Sequence, residues 1–375
     1  MEFHTVDKIQ KKALQKSATD FTRLGFALFF MIGVLTFSFL SNGGVSNNLF
    51  LAVAALIGAY MAMNIGANDV ANNVSPAVGS KALTLTTAII IAAIFEAAGA
   101  LIAGGDVVKT IKKGIIDISA FGGNPDPFIW AMMAALLAAA LWLNFATMMK
   151  APVSTTHSIV GGVMGAGIAA AGFSIVDWGT MGKIAASWVI SPVLGGAVAA
   201  AFLFAIKKSI IFKEDKVQAA KVYVPIYVAI MSSAFATYIV LKGVKHIWPK
   251  ILGFLNTLPM FSFEITKKPS FFAALSIGLI VAVIVYFFVK KRINAKVTAL
   301  ENNRSSVNTM FNIPLIFAAA LLSFAHGAND VANAIGPLAA INDAVVHGGV
   351  SSSASIPFWV MAVGAIGISL GLMLY

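Results

Sequence analysis

The sequence predicts an all-α fold: a polytopic bundle of transmembrane helices with inverted-topology repeats and broken or re-entrant helices. Three observations predict it. The 375-residue chain is 59% hydrophobic and 11% charged, with a mean hydropathy of +0.88, far from the balance of a soluble domain. Apolar runs of about 20 residues, enough to cross a bilayer as a helix, follow one another along it. One polar stretch also occurs twice at an offset of 261 residues, as Gly66-Ala67-Asn68-Asp69-Val70-Ala71-Asn72-Asn73-Val74-Ser75-Pro76 and as Gly327-Ala328-Asn329-Asp330-Val331-Ala332-Asn333-Ala334-Ile335-Gly336-Pro337. The first seven residues of the two copies are identical. A glycine before each polar cluster and a proline after it favour a break in the helix there.

Taken in order, a charged, mildly amphipathic tail (Met1 to Asp20) precedes a first span from Phe21 to Leu40 and a Ser-Asn-Gly-Gly turn. No small-residue cleavage site follows that would mark a signal peptide. Leu49 to Ile65 delivers the first motif, and Leu83 to Ala103 carries Glu96 inside it. Gly104 to Pro127 is polar and reads as a connection with an amphipathic helix at the interface. Phe128 to Met149 is followed by Lys150 and a Pro152-Val153-Ser154-Thr155-Thr156-His157-Ser158 element, then by a small-residue stretch to Gly172. Ile184 to Ile206 is read as interrupted at Ser191-Pro192. Spans at Val222 to Leu241 and Phe271 to Val289 flank a polar segment that is amphipathic around Ile251 to Leu258. Lys290 to Met310 is the most polar internal segment, Ile313 to Phe324 leads into the second motif, and Ile356 to Tyr375 begins a last span.

This organises the chain as a tail and first helix (1–48), a first repeat (49–206), connecting helices with a cytoplasmic linker (207–312) and a second repeat (313–375). With Lys8, Lys11, Lys12, Lys16 and Arg23 inside, the basic loops Lys207 to Lys221 and Lys290 to Met310 also fall inside. The run entering Gly66 then travels inward and the run entering Gly327 outward, so the copies are antiparallel. Lys109, Lys112 and Lys113 would lie outside, offset by Asp106, Asp117 and Asp126. The net charge of +11 sits in loops between apolar runs, as expected beside anionic lipid, and no basic stripe points to nucleic acid. The absence of cysteine excludes disulfides and thiolate metal sites.

An aspartate at the bilayer centre costs about 2.5–3.5 kcal/mol, and intramembrane acids mark functional sites. Asp69 and Asp330 offer anionic oxygens, and Asn68, Asn72, Asn73, Asn329 and Asn333 offer amide oxygens as well as donors. Hard oxygen ligands of this kind suit a cation such as Na⁺. The bland alternative is pairing of each Asp with Lys81 or Lys150. Pro152 to Ser158 reads as a helix start with proline at its first position and four hydroxyls at its N-terminus, a ready site for an oxyanion; the alternative is an ordinary cap with Ser/Thr back-bonding. His157 is a candidate anion contact, hydroxyl-orienting group or titrating group, or else a structural histidine. His326 stands where the first copy has Ile65 and is read as structural or functional alike, whereas Glu96 is read as a hydrogen-bonded structural acid, the alternative being a cation or proton site. Two carboxylates and an oxyanion in one cavity repel, and cations between them relieve this, so anion and cation binding should be coupled.

Gly66 to Pro76, Gly327 to Pro337 and Pro152 to Ser158 resemble the duplicated signature of the Pit-type inorganic phosphate transporters, over nearly the whole chain. The resemblance implies a symporter of inorganic phosphate coupled to Na⁺, or to H⁺, in a cell membrane, with no organic cofactor and a homodimeric assembly. It implies that Asp69, Asn72, Asp330 and Asn333 fall in the ion and phosphate centre beside Ser154, Thr155 and Thr156. Cation ligands are therefore expected among Asp69, Asp330, Asn68, Asn329, Asn72, Asn333 and Thr155. Phosphate contacts are expected among Ser154, Thr155, Thr156, Asn72, Asn333, Ser158 and His157. A second proline–serine–threonine–threonine–histidine element would begin near position 413, so the second repeat is read as truncated at Tyr375. The weighed alternatives are an H⁺-coupled phosphate or metal-phosphate symporter and a sulfate permease of the same fold. A membrane-embedded hydrolase or metalloenzyme built on His157, His326 and the Asp pair lacks ligand-type spacing and a nucleophile–base motif. An anion channel is the remaining class.

Overall fold

The computed structural model describes residues 2–45, 48–105, 115–121, 125–245, 247–258, 263–297, 300–347 and 356–374, the side chains of 2–19, 118–119 and 296–297 excepted. Among these residues the regular structure is helical: α1 (Glu2–Ser41), α2 (Asn48–Gly79), α3 (Leu85–Ala103), α4 (Pro125–Met148), α5 (Thr155–Ala171), α6 (Trp178–Ile206), α7 (Lys216–Lys242), α8 (Trp248–Leu255), α9 (Phe271–Val297), α10 (Arg304–Met310), α11 (Asn312–His347) and α12 (Phe358–Leu374). A π turn, Lys207–Ile211, extends α6. Among the described residues, eight helices are long and apolar enough to cross a membrane. Of Gly104 to Pro127, where an interfacial helix is expected, residues 106–114 and 122–124 lie outside the described residues. What is described there is a short 3-10 helix, Ile118–Phe121, and one bridge between Ile116 and Val176.

Three expectations about helix boundaries are corrected. α2 and α11 run through both polar motifs without a break, with Pro76 and Pro337 inside them. α6 likewise continues through Pro192, as membrane helices tolerate. The motif glycines serve another need. A Cβ on Gly66 would collide with the carbonyl of Ile368 in α12, and one on Gly371 with the carbonyl of Met63 in α2. A Cβ on Gly327 would meet the backbone of Glu96 in α3. These glycines let helix backbones touch, the usual role of small residues where lipid removes the hydrophobic drive between helices. The third correction concerns Pro152, which lies ahead of α5: Ser154 is its N-cap and Thr155 its first residue.

The chain forms two compact units, one of residues 1–72, 92–177 and 326–375, the other of residues 73–91 and 178–325. In the first, each motif helix crosses the helix that follows the other motif: α2 packs on α12 through Gly66, and α11 on α3 through Gly327. Ser369 of α12 donates to the carbonyl of Ala93 in α3 at 2.9 Å, tying the two crossings together. In the second, α7 and α9 pack tightly; a Cβ on Gly278 would collide with the Thr237 side chain and lie 2.7 Å from the Ser233 carbonyl.

Overpacking a close helix crossing costs about 1–3 kcal/mol. Gly66→Ala should therefore lower the melting temperature in detergent by several degrees. Gly25→Ala, where a Cβ meets nothing within 4 Å, should leave it unchanged. Equal melting temperatures would show that α2 and α12 do not touch at Gly66.

Candidate functional site

The local chain path is set at the end of α4. Lys150 adopts the left-handed conformation (φ 57°). Its N–H donates to Thr147 O at 2.9 Å and that of Ala151 to Ala146 O at 2.8 Å, the paired bonds of a Schellman cap. The chain then turns back, and Asn68 of α2 holds the turn. Its amide nitrogen donates to Thr147 Oγ1 at 2.9 Å and to the Ala151 carbonyl at 3.3 Å, and its oxygen accepts from Val153 N–H at 3.1 Å. One turn earlier Asn64 accepts from Asn144 at 3.1 Å and donates to the Tyr60 carbonyl at 2.8 Å. These amides stitch α2 to α4 and deliver α5 at a fixed position.

α5 starts with a capping bond in which His157 N–H donates to Ser154 Oγ at 3.2 Å. Ser158 donates back to the Ser154 carbonyl at 2.8 Å. The first helical residue, Thr155, is buried and donates to Asp330 Oδ2 at 3.3 Å. The buried Asn333 amide lies 3.1 Å from both Thr155 Oγ1 and Thr156 Oγ1, and 3.3 Å from Asp330 Oδ1. The second motif thus meets the tip of α5 directly. Its carboxylate sits at a helix N-terminus, the positive end of the helix dipole.

Asp69 and Asp330, 261 residues apart, come together on His326. Nε2 of His326 lies 2.9 Å from Asp330 Oδ2 and 3.4 Å from Asp69 Oδ2, and Nδ1 lies 3.0 Å from Glu96 Oε1. One ligand atom from each of Asp69, His326 and Asp330 falls within 4.8 Å of the others, a spacing at which a metal ion can be held. Nε2 is buried between the two carboxylates without a well-directed hydrogen bond to either, so this contact is electrostatic rather than directional. A neutral imidazole has a single N–H and can serve one of its two carboxylate-facing nitrogens; with a proton on each, both contacts are attractive.

The expected residues divide accordingly. Asp69, Asp330, Thr155, Thr156 and Asn333 form one connected cluster with His326 and Glu96. Asn72 is exposed and donates to Asp69 Oδ1 at 3.0 Å. Asn68 has its oxygen engaged by the Val153 N–H, so it positions α5. Asn329 and His157 are exposed, and Ser154 and Ser158 are taken up in the cap. The alternative of lysine pairing is not met: among the described residues the ion-pair partner of Asp69 and of Asp330 is His326. Asn64, Asn144 and Thr147 were missed. Their signal is present in the sequence, since Asn64 precedes Asn68 by four residues on the same helix face.

Removing a group that satisfies buried polar atoms costs about 1–3 kcal/mol. Asn68→Ala should therefore lower the melting temperature and speed amide exchange at Val153, while Asn72→Ala leaves Val153 protected. Unchanged exchange in Asn68→Ala would show that this amide does not hold the turn.

A family model described as the phosphate transporter family matches residues 65–375. A protein of Helicobacter pylori strain J99 named "Putative phosphate permease" is 48% identical over 378 residues, covering 100% of this chain and 67% of that protein. One of the same name from Haemophilus influenzae is 37% identical over 322 residues, covering 86% of this chain and 73% of the other. The chain thus spans about two thirds of the length of the Helicobacter relative. A solved structure titled "The sodium-dependent phosphate transporter" superposes with a TM-score of 0.76 at 34% identity, over 87% of this chain and 75% of that one. With its matched signature, its eight candidate spans and its buried acid–amide cluster, the chain belongs to the phosphate transporter family, a multi-pass membrane permease rather than an enzyme.

Proposed function

We propose that the protein is a secondary active symporter of inorganic phosphate, driven by Na⁺ and working by alternating access of two inverted repeats. The observation that carries this reading is the convergence of Asp69 and Asp330 beside the N-terminus of α5. In it, Asp69, Asp330 and the Thr155 hydroxyl supply hard oxygens for Na⁺. Thr156, Asn333 and the free N–H groups of the first turn of α5 donate to phosphate. A cation between the carboxylates lowers the repulsion that an arriving phosphate would meet, so each ligand raises the affinity for the other by the same factor.

One observation favours a second reading, H⁺ coupling: His326 touches three carboxylates, an arrangement able to carry a proton in place of a metal cation.

Uptake of labelled phosphate into proteoliposomes decides between them. Under the first reading an inward Na⁺ gradient drives uptake several-fold above a K⁺ control, and Asp330→Asn or Thr155→Val lowers the rate at least about tenfold, equivalent to about 1.4 kcal/mol of lost stabilisation. Phosphate affinity should rise with Na⁺, and Na⁺ affinity with phosphate, by equal factors. Uptake that ignores Na⁺ and follows a pH gradient would establish H⁺ coupling instead. Uptake of sulfate without phosphate would overturn the substrate.

A further inference from the structure

One end of the second compact unit is held by a small apolar core. Ile210 of the π turn, Val217 and Val224 of α7, Val289 and Ile293 of α9, and Val307 of α10 are buried against one another. Asn302 clamps the same end, accepting from Lys216 N–H at 2.9 Å and donating to the Glu214 carbonyl at 2.9 Å. Around this core stand Lys207, Lys208, Lys290, Lys291, Arg292 and Arg304, all exposed. None of the six is ion-paired among the described residues. Of the acids at this end, Asp215 caps α7 by accepting from Gln218 N–H, Glu301 accepts from Asn303, and Glu214 is exposed.

Three of the cations share one geometry. Lys208 lies over the ring of Phe204 at 5.9 Å, Lys290 over Tyr286 at 5.2 Å and Arg292 over Phe288 at 5.4 Å. In each pair the aromatic residue comes four positions earlier, one turn back along α6 or α9. Both helices run toward this end, so each ring lies on the apolar, span side of its cation. The cations lean back over the rings and stay exposed, and Phe204 and Phe288 are 65% and 51% exposed. Cations without ion-pair partners, each one turn beyond an aromatic ring on the span side, match the boundary between headgroups and acyl chains; Lys290 also donates to the Tyr286 hydroxyl at 3.3 Å.

We infer that this end of the second unit binds anionic phospholipids, their phosphodiesters on the cations of the separate pairs Lys208–Phe204, Lys290–Tyr286 and Arg292–Phe288 and their acyl chains along the rings. Free inorganic phosphate fits less well, because it has no use for the exposed rings. The excess of Lys and Arg places this end on the cytoplasmic side, where anionic lipid attracts juxtamembrane basic clusters. The site shares no residue with the Asp69–Asp330 cluster and does not depend on the transport reading.

The test uses the full chain in detergent with phosphatidylglycerol or phosphatidylcholine of matched acyl chains, read by bound lipids in native mass spectra and by melting temperature. The wild type should retain phosphatidylglycerol over phosphatidylcholine and gain thermal stability from it alone. The triple variant Lys208→Gln, Lys290→Gln, Arg292→Gln should lose that preference, by about fivefold for each charge removed. The charge-retaining Lys208→Arg, Lys290→Arg, Arg292→Lys should keep it. Melting in phosphatidylcholine shows whether each variant is folded, and the single Lys290→Gln change serves if the triple is not. Equal retention of both lipids by the wild type, a preference surviving in the glutamine variants, or displacement of phosphatidylglycerol by inorganic phosphate would overturn the inference.

Discussion

Two carboxylates set side by side, Asp69 buried and Asp330 partly exposed, are the constraint on which the rest of the first unit depends. Asp69 and Asp330 present oxygens within 4.8 Å of each other. At an effective dielectric of about 20, two unit charges at that spacing repel by about 3–4 kcal/mol. Such a pair persists only if positive charge or strong donors surround it. The donors are visible: the Thr155 hydroxyl, the Asn333 and Asn72 amides, the dipole of α5 and above all the His326 ring. The rest of the unit exists to hold these groups in place. The close crossings at Gly66 and Gly327 bring the two motif helices together, and Asn68 brings α5 to them.

The two motif copies are near-identical in sequence and unlike in their surroundings. Ile65 precedes the first copy and His326 the second. The backbone over Gly66 is that of Ile368, and the backbone over Gly327 is that of Glu96. An apolar pair on one side thus corresponds to an acid–imidazole pair on the other. The amides differ too: Asn68 is buried and fixes a turn, whereas Asn329 is exposed. Duplication supplied two similar acid–amide helices, and the neighbours of each then specialised it. Asymmetry of this kind is what lets Asp330 meet both the α5 tip and the imidazole, while Asp69 meets the imidazole at longer range.

Much of this was legible. Composition and run length identify the spans because every backbone polar group in lipid must be satisfied within a helix. The repeat singles out Asp69 and Asp330 because acids are rare at membrane depth. Other features were misread for definite reasons. The motif glycines and prolines suggested unwinding, yet glycine in a membrane helix serves backbone contact equally well, and only the partner helix reveals which. Pro152 suggested a helix start, but capping by Ser154 satisfied the first turn two residues later. The contact of both aspartates with His326 went unread, because the histidine precedes only the second copy and no spacing ties it to Asp69.

The sequence by itself determined the helical membrane class, the duplicated acid–amide element and the hydroxyl-rich start of α5, since these follow from local composition and periodicity. Only the tertiary structure decided that His326 and Glu96 belong with Asp69 and Asp330, that Asn68 is a strut and not a free donor, and that the basic ends of α6 and α9 gather over one apolar core. Those facts depend on which helices cross and at what depth. That is settled by backbone contacts between residues hundreds of positions apart, to which no local pattern has access.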